Sequence, residues 1–364
     1  MFTGGRVIGY LGPPSPHLDA LRAVVEPTGG RVVFLPDSPS AGCYRGRLFG
    51  RTRRWAAQLR GTRDREFLWE TLTTIDQEKV DVVLAYWGTN PLADIRAIRE
   101  ARPNLPCVLM ALCHPSGLSA SRVRLQNWMM RRAGRYLSGI VYPSERMADY
   151  FRANVFGGSA PPGIVVRPCW PGAWHAAEPT QPVSHIPAVV FLGRMDGGQP
   201  CDDVREQIHS VTQSGVFVWH VTGGRNLAAD RFRRTFRPDS VEAVIRFANG
   251  FDAALVWYNT SVCARTDRFA QTIPDRLISA VAAGVPVAIP RRGYGACYEY
   301  LADYPAVIPF DTPAELATVL WDRDRVAQLR AAAWAARDSY RAEEEWPQLS
   351  SFLDDVTSGV TGRC

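Results

Sequence analysis

The sequence predicts an α/β protein of two doubly wound, Rossmann-like domains that face each other across a cleft. The chain has 364 residues, more than one ordinary core accommodates. Short apolar runs alternate with helical patterns along both halves, which is typical of parallel sheets covered by helices. An apolar content of 46% and a charged content of 21% indicate a globular rather than a disordered chain.

The first domain is predicted to span residues 1–170. Apolar runs that predict strands lie at 6–11, 31–35, 80–86, 107–112 and 139–142. Helical patterns separate them at 16–25, 64–77, 92–102 and 119–136. Strands that alternate with helices in this way predict one parallel sheet.

A linker is predicted at 171–187, where prolines are frequent and no apolar period is present. The second domain follows at 188–345. Its predicted strands are 188–192, 216–221, 253–257, 285–289 and 306–309, and its predicted helices are 202–214, 241–248, 275–283, 313–321 and 325–345. Residues 346–364 form a C-terminal tail that can pack back on the first domain.

The segment 272–299 is the most informative part of the chain. Thr272 and Asp275 have the spacing of a capping box before the helix 275–283, and Gly284 ends that helix before a buried strand. The basic, glycine-bearing loop 291–295 follows the strand. A helix N-terminus and such a loop at one end of a sheet form an anion site. The alternative is an ordinary helix–strand unit with a basic surface loop.

Three short motifs resemble a known family. They are Ala282-Ala283-Gly284-Val285-Pro286-Val287, the pair Gly193-Arg194 after the first strand of the second domain, and the loop Gly12-Pro13-Pro14. Together they are similar to the donor-binding segments of retaining nucleotide-sugar glycosyltransferases of the GT-B fold (family 4-like, group 1).

The resemblance implies a metal-independent, retaining transfer of a sugar from a nucleoside diphosphate donor, with no cofactor. The acceptor would be a glycan, a lipid-linked sugar or a small natural product. It implies that His114 is catalytic, since a family histidine after this strand orients the donor sugar. The donor would bind residues that the motifs place nearby: Gly12, Arg194, Gln271, Asp275, Ser279, Arg292, Gly293, Tyr294 and Gly295.

Two positions depart from the family pattern. Gln271 and Ser279 stand where the family has two glutamates, the second of which holds the donor ribose. The family lysine that accompanies the phosphate-binding arginine is also missing, and Arg291 or Arg292 could replace its charge. Two alternatives therefore stay open: a sugar-nucleotide epimerase on the same fold, and a non-catalytic protein that binds nucleotide sugars.

The formal net charge is +6, and Lys79 is the only lysine, so phosphate contacts would come from arginine or from backbone amides. Arginines with apolar neighbours cluster at 45–65 and 122–135. These clusters predict an anionic membrane surface or a phosphorylated acceptor as a partner, against the alternative of solvated arginines. No nucleic-acid-binding module is recognised, so nucleic acid is not an expected partner.

The remaining features concern location and metals. The eight cysteines form no CxxC pair and have no zinc-ligand spacing, which predicts reduced thiols and no metal site. No apolar run reaches the length of a membrane span, and no signal-peptide pattern is present. We therefore expect a cytoplasmic protein that is peripheral on the inner membrane face.

Overall fold

A computed structural model describes residues 5–36, 65–86, 92–112, 120–182, 185–193, 200–221, 233–236, 238–260 and 270–359. The chain divides into two compact units. Residues 1–167 and 345–364 form the first unit, and residues 168–344 form the second. The segment 171–187, predicted as a linker, falls within the second unit.

The described part of the first unit contains one parallel sheet of six strands in the order β2-β1-β3-β4-β5-β6. Its strands are β1 (Val7–Gly12), β2 (Arg31–Pro36), β3 (Val82–Tyr86), β4 (Cys107–Met110), β5 (Gly139–Tyr142) and β6 (Gly163–Val165). Its helices are α1 (Pro16–Val25), α2 (Arg65–Glu78), α3 (Leu92–Ala101), α4 (Ala120–Gly134) and α5 (Glu145–Tyr150), the last continued by a π-helical stretch, Phe151–Phe156.

The second unit also contains a parallel sheet of six described strands, in the order β12-β11-β10-β7-β8-β9. Its strands are β7 (Ala188–Leu192), β8 (Phe217–Val221), β9 (Arg233–Phe236), β10 (Ala253–Leu255), β11 (Val287–Pro290) and β12 (Val307–Phe310). Its helices are α6 (Arg205–Gln213), α7 (Val241–Ala248), α8 (Asp275–Ala282), α9 (Gly295–Tyr300), α10 (Pro313–Trp321) and α11 (Arg323–Ala336).

A last helix, α12 (Ala342–Thr357), ends the described chain. Most of it belongs to the first unit, where it covers one face of the sheet with the apolar side chains Leu349, Phe352, Leu353 and Val356. The central strands of both sheets are buried on both faces, which is why they read as continuous apolar runs instead of alternating ones.

The predicted fold class, α/β with two parallel sheets, is confirmed. The prediction of one helix at 325–345 is wrong, because α11 ends at Ala336 and a 3₁₀ turn, Arg337–Tyr340, separates it from α12. Strands β6 and β9 had no counterpart in the prediction. β6 holds only three residues, and β9 carries two arginines, so neither shows an apolar run.

Candidate anion-binding site

The site lies at the carboxyl edge of the second sheet. The strand order reverses between β7 and β10, and ligands of open α/β sheets bind in the crevice outside the strand ends at such a point. Gly193 follows β7, Trp257 and Tyr258 follow β10, and the loop 291–294 follows β11. Arg276, in the first turn of α8, contacts the ends of β7 and β10 through its side chain.

Arg276 is buried at the centre of this edge, with 8% of its side chain exposed. Its Nη1 donates a hydrogen bond to the carbonyl oxygen of Trp257 at 2.9 Å. Its Cζ lies 4.2 Å from the ring centroid of Tyr258 and 4.9 Å from that of Phe191. Two aromatic faces and one carbonyl therefore fix the guanidinium at the strand ends. No motif in the sequence singles out Arg276.

Within the described residues, the charge of Arg276 is only partly compensated. Among the described residues its nearest carboxylate is Asp202, with 3.8 Å between Nη2 and Oδ1, which is longer than a hydrogen bond. The bond to Trp257 is the one hydrogen bond that the guanidinium makes within the described chain. A buried cation without a close counter-ion is costly, so this position favours the binding of an anion.

Gly193 makes room for the guanidinium. A Cβ atom at this position would lie 2.6 Å from Nη2 and 2.7 Å from Cζ of Arg276. The Gly193 amide donates to the carbonyl oxygen of Val221 at 3.2 Å, and its carbonyl oxygen lies 2.6 Å from Nε2 of the buried His220. Because both backbone groups are held, only glycine allows the arginine to cross the end of β7.

The loop after β11 carries three of the predicted donor-binding residues, Arg292, Gly293 and Tyr294, and a fourth, Gly295, begins α9. Gly293 has a φ of +87°, a conformation that favours glycine. In the described chain, the amides of Arg292, Gly293 and Gly295 donate to no protein acceptor. Arg292 is exposed, so its side chain and these amides are available to an anion.

Tyr294 has a different environment, since only 2% of it is exposed. Its hydroxyl oxygen accepts a hydrogen bond from the Tyr258 amide at 2.8 Å. Burial raises the pKa of Tyr294, so the hydroxyl stays neutral. The hydroxyl thus ties the loop after β11 to Tyr258, the residue that stacks on Arg276.

Arg291 is engaged elsewhere. It pairs with Glu315 and with Asp311, and its hydrogen bond lowers the pKa of Glu315 to about 2. Of the two loop arginines weighed in the sequence, Arg292 is the one without an ion pair in the described chain.

The start of α8 differs from the prediction. Its N-cap is Pro274 and no side chain caps it, so the capping box of Thr272 and Asp275 does not form. Thr272 is buried, while Asp275 is exposed in the first turn. Gln271 precedes the helix, and its side-chain Oε1 is buried with no hydrogen-bond partner in the described chain.

Ser279 lies one turn after Arg276 and is 5% exposed. Its hydroxyl oxygen accepts a hydrogen bond from Nε1 of Trp170 at 2.9 Å, and Trp170 is itself 2% exposed. The Ala176 amide also donates to the carbonyl oxygen of Ala282 at 3.4 Å. Ser279 therefore anchors the beginning of the second unit to α8, and this contact weighs against a direct role in holding a ligand.

Gly12 ends β1 in the first unit and is buried. A Cβ there would lie 3.2 Å from Cβ of Tyr86, the last residue of β3. Since β1 and β3 flank the reversal of strand order in that sheet, Gly12 lies at its ligand-binding edge. His114 and Arg194 lie outside the described residues.

No family model matches the chain, and no curated protein matches it in sequence. Solved structures do match. Sucrose-phosphate synthase from Thermosynechococcus elongatus aligns with a TM-score of 0.68 at 9% identity over 97% of this chain and 100% of its own. HepE from Anabaena, solved with UDP and glucose, aligns with a TM-score of 0.65 at 14% identity over 95% of this chain and 99% of its own. The fold is GT-B.

A third GT-B structure, the trehalose-6-phosphate synthase OtsA, has a TM-score of 0.65 at 9% identity over 96% of this chain and 99% of its own. At these identities the likeness establishes the GT-B fold, while activity has to be argued from the residues of the site.

The described residues also contain features that bear on metals, membranes and thiols. In the described residues, no group of three or more histidine, cysteine, aspartate or glutamate side chains could hold a metal ion. No described helix is long and apolar enough to cross a membrane. Of the cysteines described, Cys107, Cys201 and Cys297 are buried thiols and Cys169 is partly exposed.

The basic clusters give a mixed result. Residues 45–64 lie outside the described chain. In the cluster at 122–135, Met129 and Met130 are buried in the core, whereas Trp128 is 45% exposed. The Arg132 guanidinium lies 5.4 Å from the Trp128 ring centroid. A membrane surface as partner stays a prediction.

Proposed function

We propose that the protein is a glycosyltransferase that moves a sugar from a nucleoside diphosphate donor to a hydroxyl acceptor. The buried, partly compensated Arg276 at the strand-order reversal of the second sheet carries this proposal. The fold adds support, because HepE, which shares it, was solved with UDP-glucose.

The donor diphosphate would lie over Arg276 and the loop after β11. The amides of Gly293 and Gly295, with the side chain of Arg292, would add hydrogen-bond donors on the loop side. In the transfer, the acceptor oxygen bonds to the anomeric carbon, and its proton passes to the departing diphosphate. The bond from that carbon to the diphosphate breaks, and its electron pair stays on the phosphate oxygen. Fixed positive charge at that oxygen stabilises the leaving group.

The finer points of the proposal come from the family resemblance. The reaction would be metal-independent and retaining, with Arg194 at the diphosphate, Gly12 on the first unit's side, and His114 orienting the sugar. Asp275 and Gln271 lie at the start of α8 and would contact the nucleotide. The acceptor would be a glycan, a lipid-linked sugar or a small natural product, met in the cytoplasm or at a membrane surface.

The test is a panel of UDP-, GDP- and TDP-sugars, with the melting temperature of the wild type as the first readout. At least one donor should raise the melting temperature, and Arg276→Gln should reduce that rise. Arg246→Gln is the matched control, because Arg246 lies on α7 and pairs with Glu242. Absence of any shift with the whole panel would refute nucleotide-sugar binding.

Turnover separates the alternatives. A glycosyltransferase releases nucleoside diphosphate in the presence of an acceptor, whereas an epimerase converts the donor sugar without one. Donor binding without either product, across many acceptors, would identify a non-catalytic binding protein. The anomeric configuration of the product decides between retention and inversion.

A further inference from the structure

We infer that Asp202 and the donor diphosphate compete for Arg276, so that Asp202 sets how tightly the donor binds. This inference rests on the proposed function, since it assigns a regulator of affinity to the same site. It concerns an acidic residue that the sequence motifs did not single out.

The distance between the two groups is the first argument. Oδ1 of Asp202 lies 3.8 Å from Nη2 of Arg276, close enough for attraction but too far for a hydrogen bond. The Asp202 side chain is 21% exposed, against 8% for Arg276. The carboxylate is therefore more accessible to solvent than the guanidinium that it approaches.

The position of Asp202 is fixed by its neighbours. Asn259, which follows β10, donates its amide to the Cys201 carbonyl oxygen at 2.9 Å and its Nδ2 to the Asp203 carbonyl oxygen at 3.0 Å. These two bonds hold the 3₁₀ turn Pro200–Asp202 against the end of β10. The backbone of Asp202 is consequently held near the end of β10.

Arg276 is fixed as well, but within the described residues its Nη2 donates no hydrogen bond. Nη1 is held by the Trp257 carbonyl oxygen, whereas Nη2 faces Gly193, which presents no side chain. A phosphate oxygen that approaches Nη2 gains a short, charge-assisted hydrogen bond and weakens the loose pair with Asp202. It also meets the negative charge of Asp202, which lowers the net gain.

Removal of that charge should therefore strengthen binding. The probes are UDP, GDP and TDP, each compared with its phosphate-free nucleoside by calorimetry. We expect Asp202→Asn to bind the preferred diphosphate about 3- to 10-fold more tightly, with the nucleoside unaffected. Arg276→Gln should bind the diphosphate about 10- to 100-fold more weakly.

Asp203→Asn is the matched control. It removes the same charge one residue away, but the Asp203 carboxylate is taken by Arg205, whose Nε donates to it at 2.6 Å. The control should change diphosphate affinity by less than Asp202→Asn does. Combining Asp202→Asn with Arg276→Gln should abolish the gain, because the two residues act as a pair.

Melting curves of each variant without ligand show whether it is folded. The ratio of diphosphate to nucleoside affinity distinguishes an effect on the phosphate contacts from an effect on binding of the nucleoside. If the wild type binds no diphosphate, the proposed function fails. If the wild type binds and Arg276→Gln weakens binding, but Asp202→Asn does not tighten it, the competition is refuted and the proposed function stands.

Discussion

The hydrogen bond between Trp170 and Ser279 is expected to be important for the stability of the second unit. Ser279→Ala removes the acceptor that the buried indole N–H of Trp170 uses, and both residues are at most 5% exposed. An unsatisfied buried donor costs about 1–3 kcal/mol, and the van der Waals loss of one oxygen atom is small beside it. For a unit of this size, each kcal/mol lowers the melting temperature by roughly 2–4 °C.

The assay is urea unfolding followed by circular dichroism, with the midpoint and the slope both fitted. Ser210→Ala is the control, because Ser210 is a partly exposed helical serine whose hydroxyl donates only to the Glu206 carbonyl oxygen one turn earlier, and its loss should stay within about 0.5 kcal/mol. Trp170→Phe removes the donor, so Ser279→Ala made in that background should cost much less. Equal losses in both backgrounds would refute the reasoning.

Three further predictions follow from buried polar groups. Asp252 is fully buried and accepts two bonds from Arg323 at 2.9 and 2.8 Å, so Asp252→Ala should destabilise the protein by about 3–5 kcal/mol in urea unfolding. Tyr294→Phe should cost about 1–3 kcal/mol, because it strands a buried amide, and should weaken diphosphate binding measured by calorimetry. Burial lowers the pKa of His175, so stability should fall as the pH drops below about 6.5, and His175→Gln should flatten that fall where His209→Gln does not.

Each of these predictions has a result that contradicts it. Asp252→Ala with a stability close to wild type would mean that the carboxylate is not buried with its partner. If Tyr294→Phe binds the diphosphate with unchanged affinity, the loop after β11 does not contribute to anion binding. The sign for histidine follows from proton linkage: the unfolded chain binds the proton more readily, so acid favours unfolding. If stability falls equally with decreasing pH in the wild type and in His175→Gln, His175 is not the cause of that fall.

Local chemistry explains why parts of the fold could be predicted. The helix predicted at 275–283 agrees with α8 within one residue. Its signals, the apolar spacing and the glycine that follows, depend only on residues close together in the sequence. Gly284 has the predicted role, with a φ of +65° at the turn into β11. Pro274, in contrast, occupies the cap that had been assigned to Thr272, and the pattern of spacing alone could not distinguish them.

The centre of the candidate site could not be predicted in the same way. From the sequence, an arginine in the first turn of an amphipathic helix is expected at the surface. Arg276 is buried because Gly193, which is distant in sequence, leaves space for its guanidinium. The partner of Ser279 is 109 residues away, so no local pattern could reveal it. A useful signal was present, however: Gly193 ends a buried strand, where a residue without a side chain indicates that another group approaches closely.

The confinement of Arg276 between Tyr258 and Phe191 has a thermodynamic consequence for any anion that binds there. A free arginine side chain carries roughly 2 kcal/mol of rotamer entropy, which an exposed residue loses when it grips a ligand. Here the loss occurs when the chain folds, with the helix that bears the arginine fastened behind it by Trp170. The incoming phosphate then meets a preorganised guanidinium, and more of the contact energy is retained as affinity.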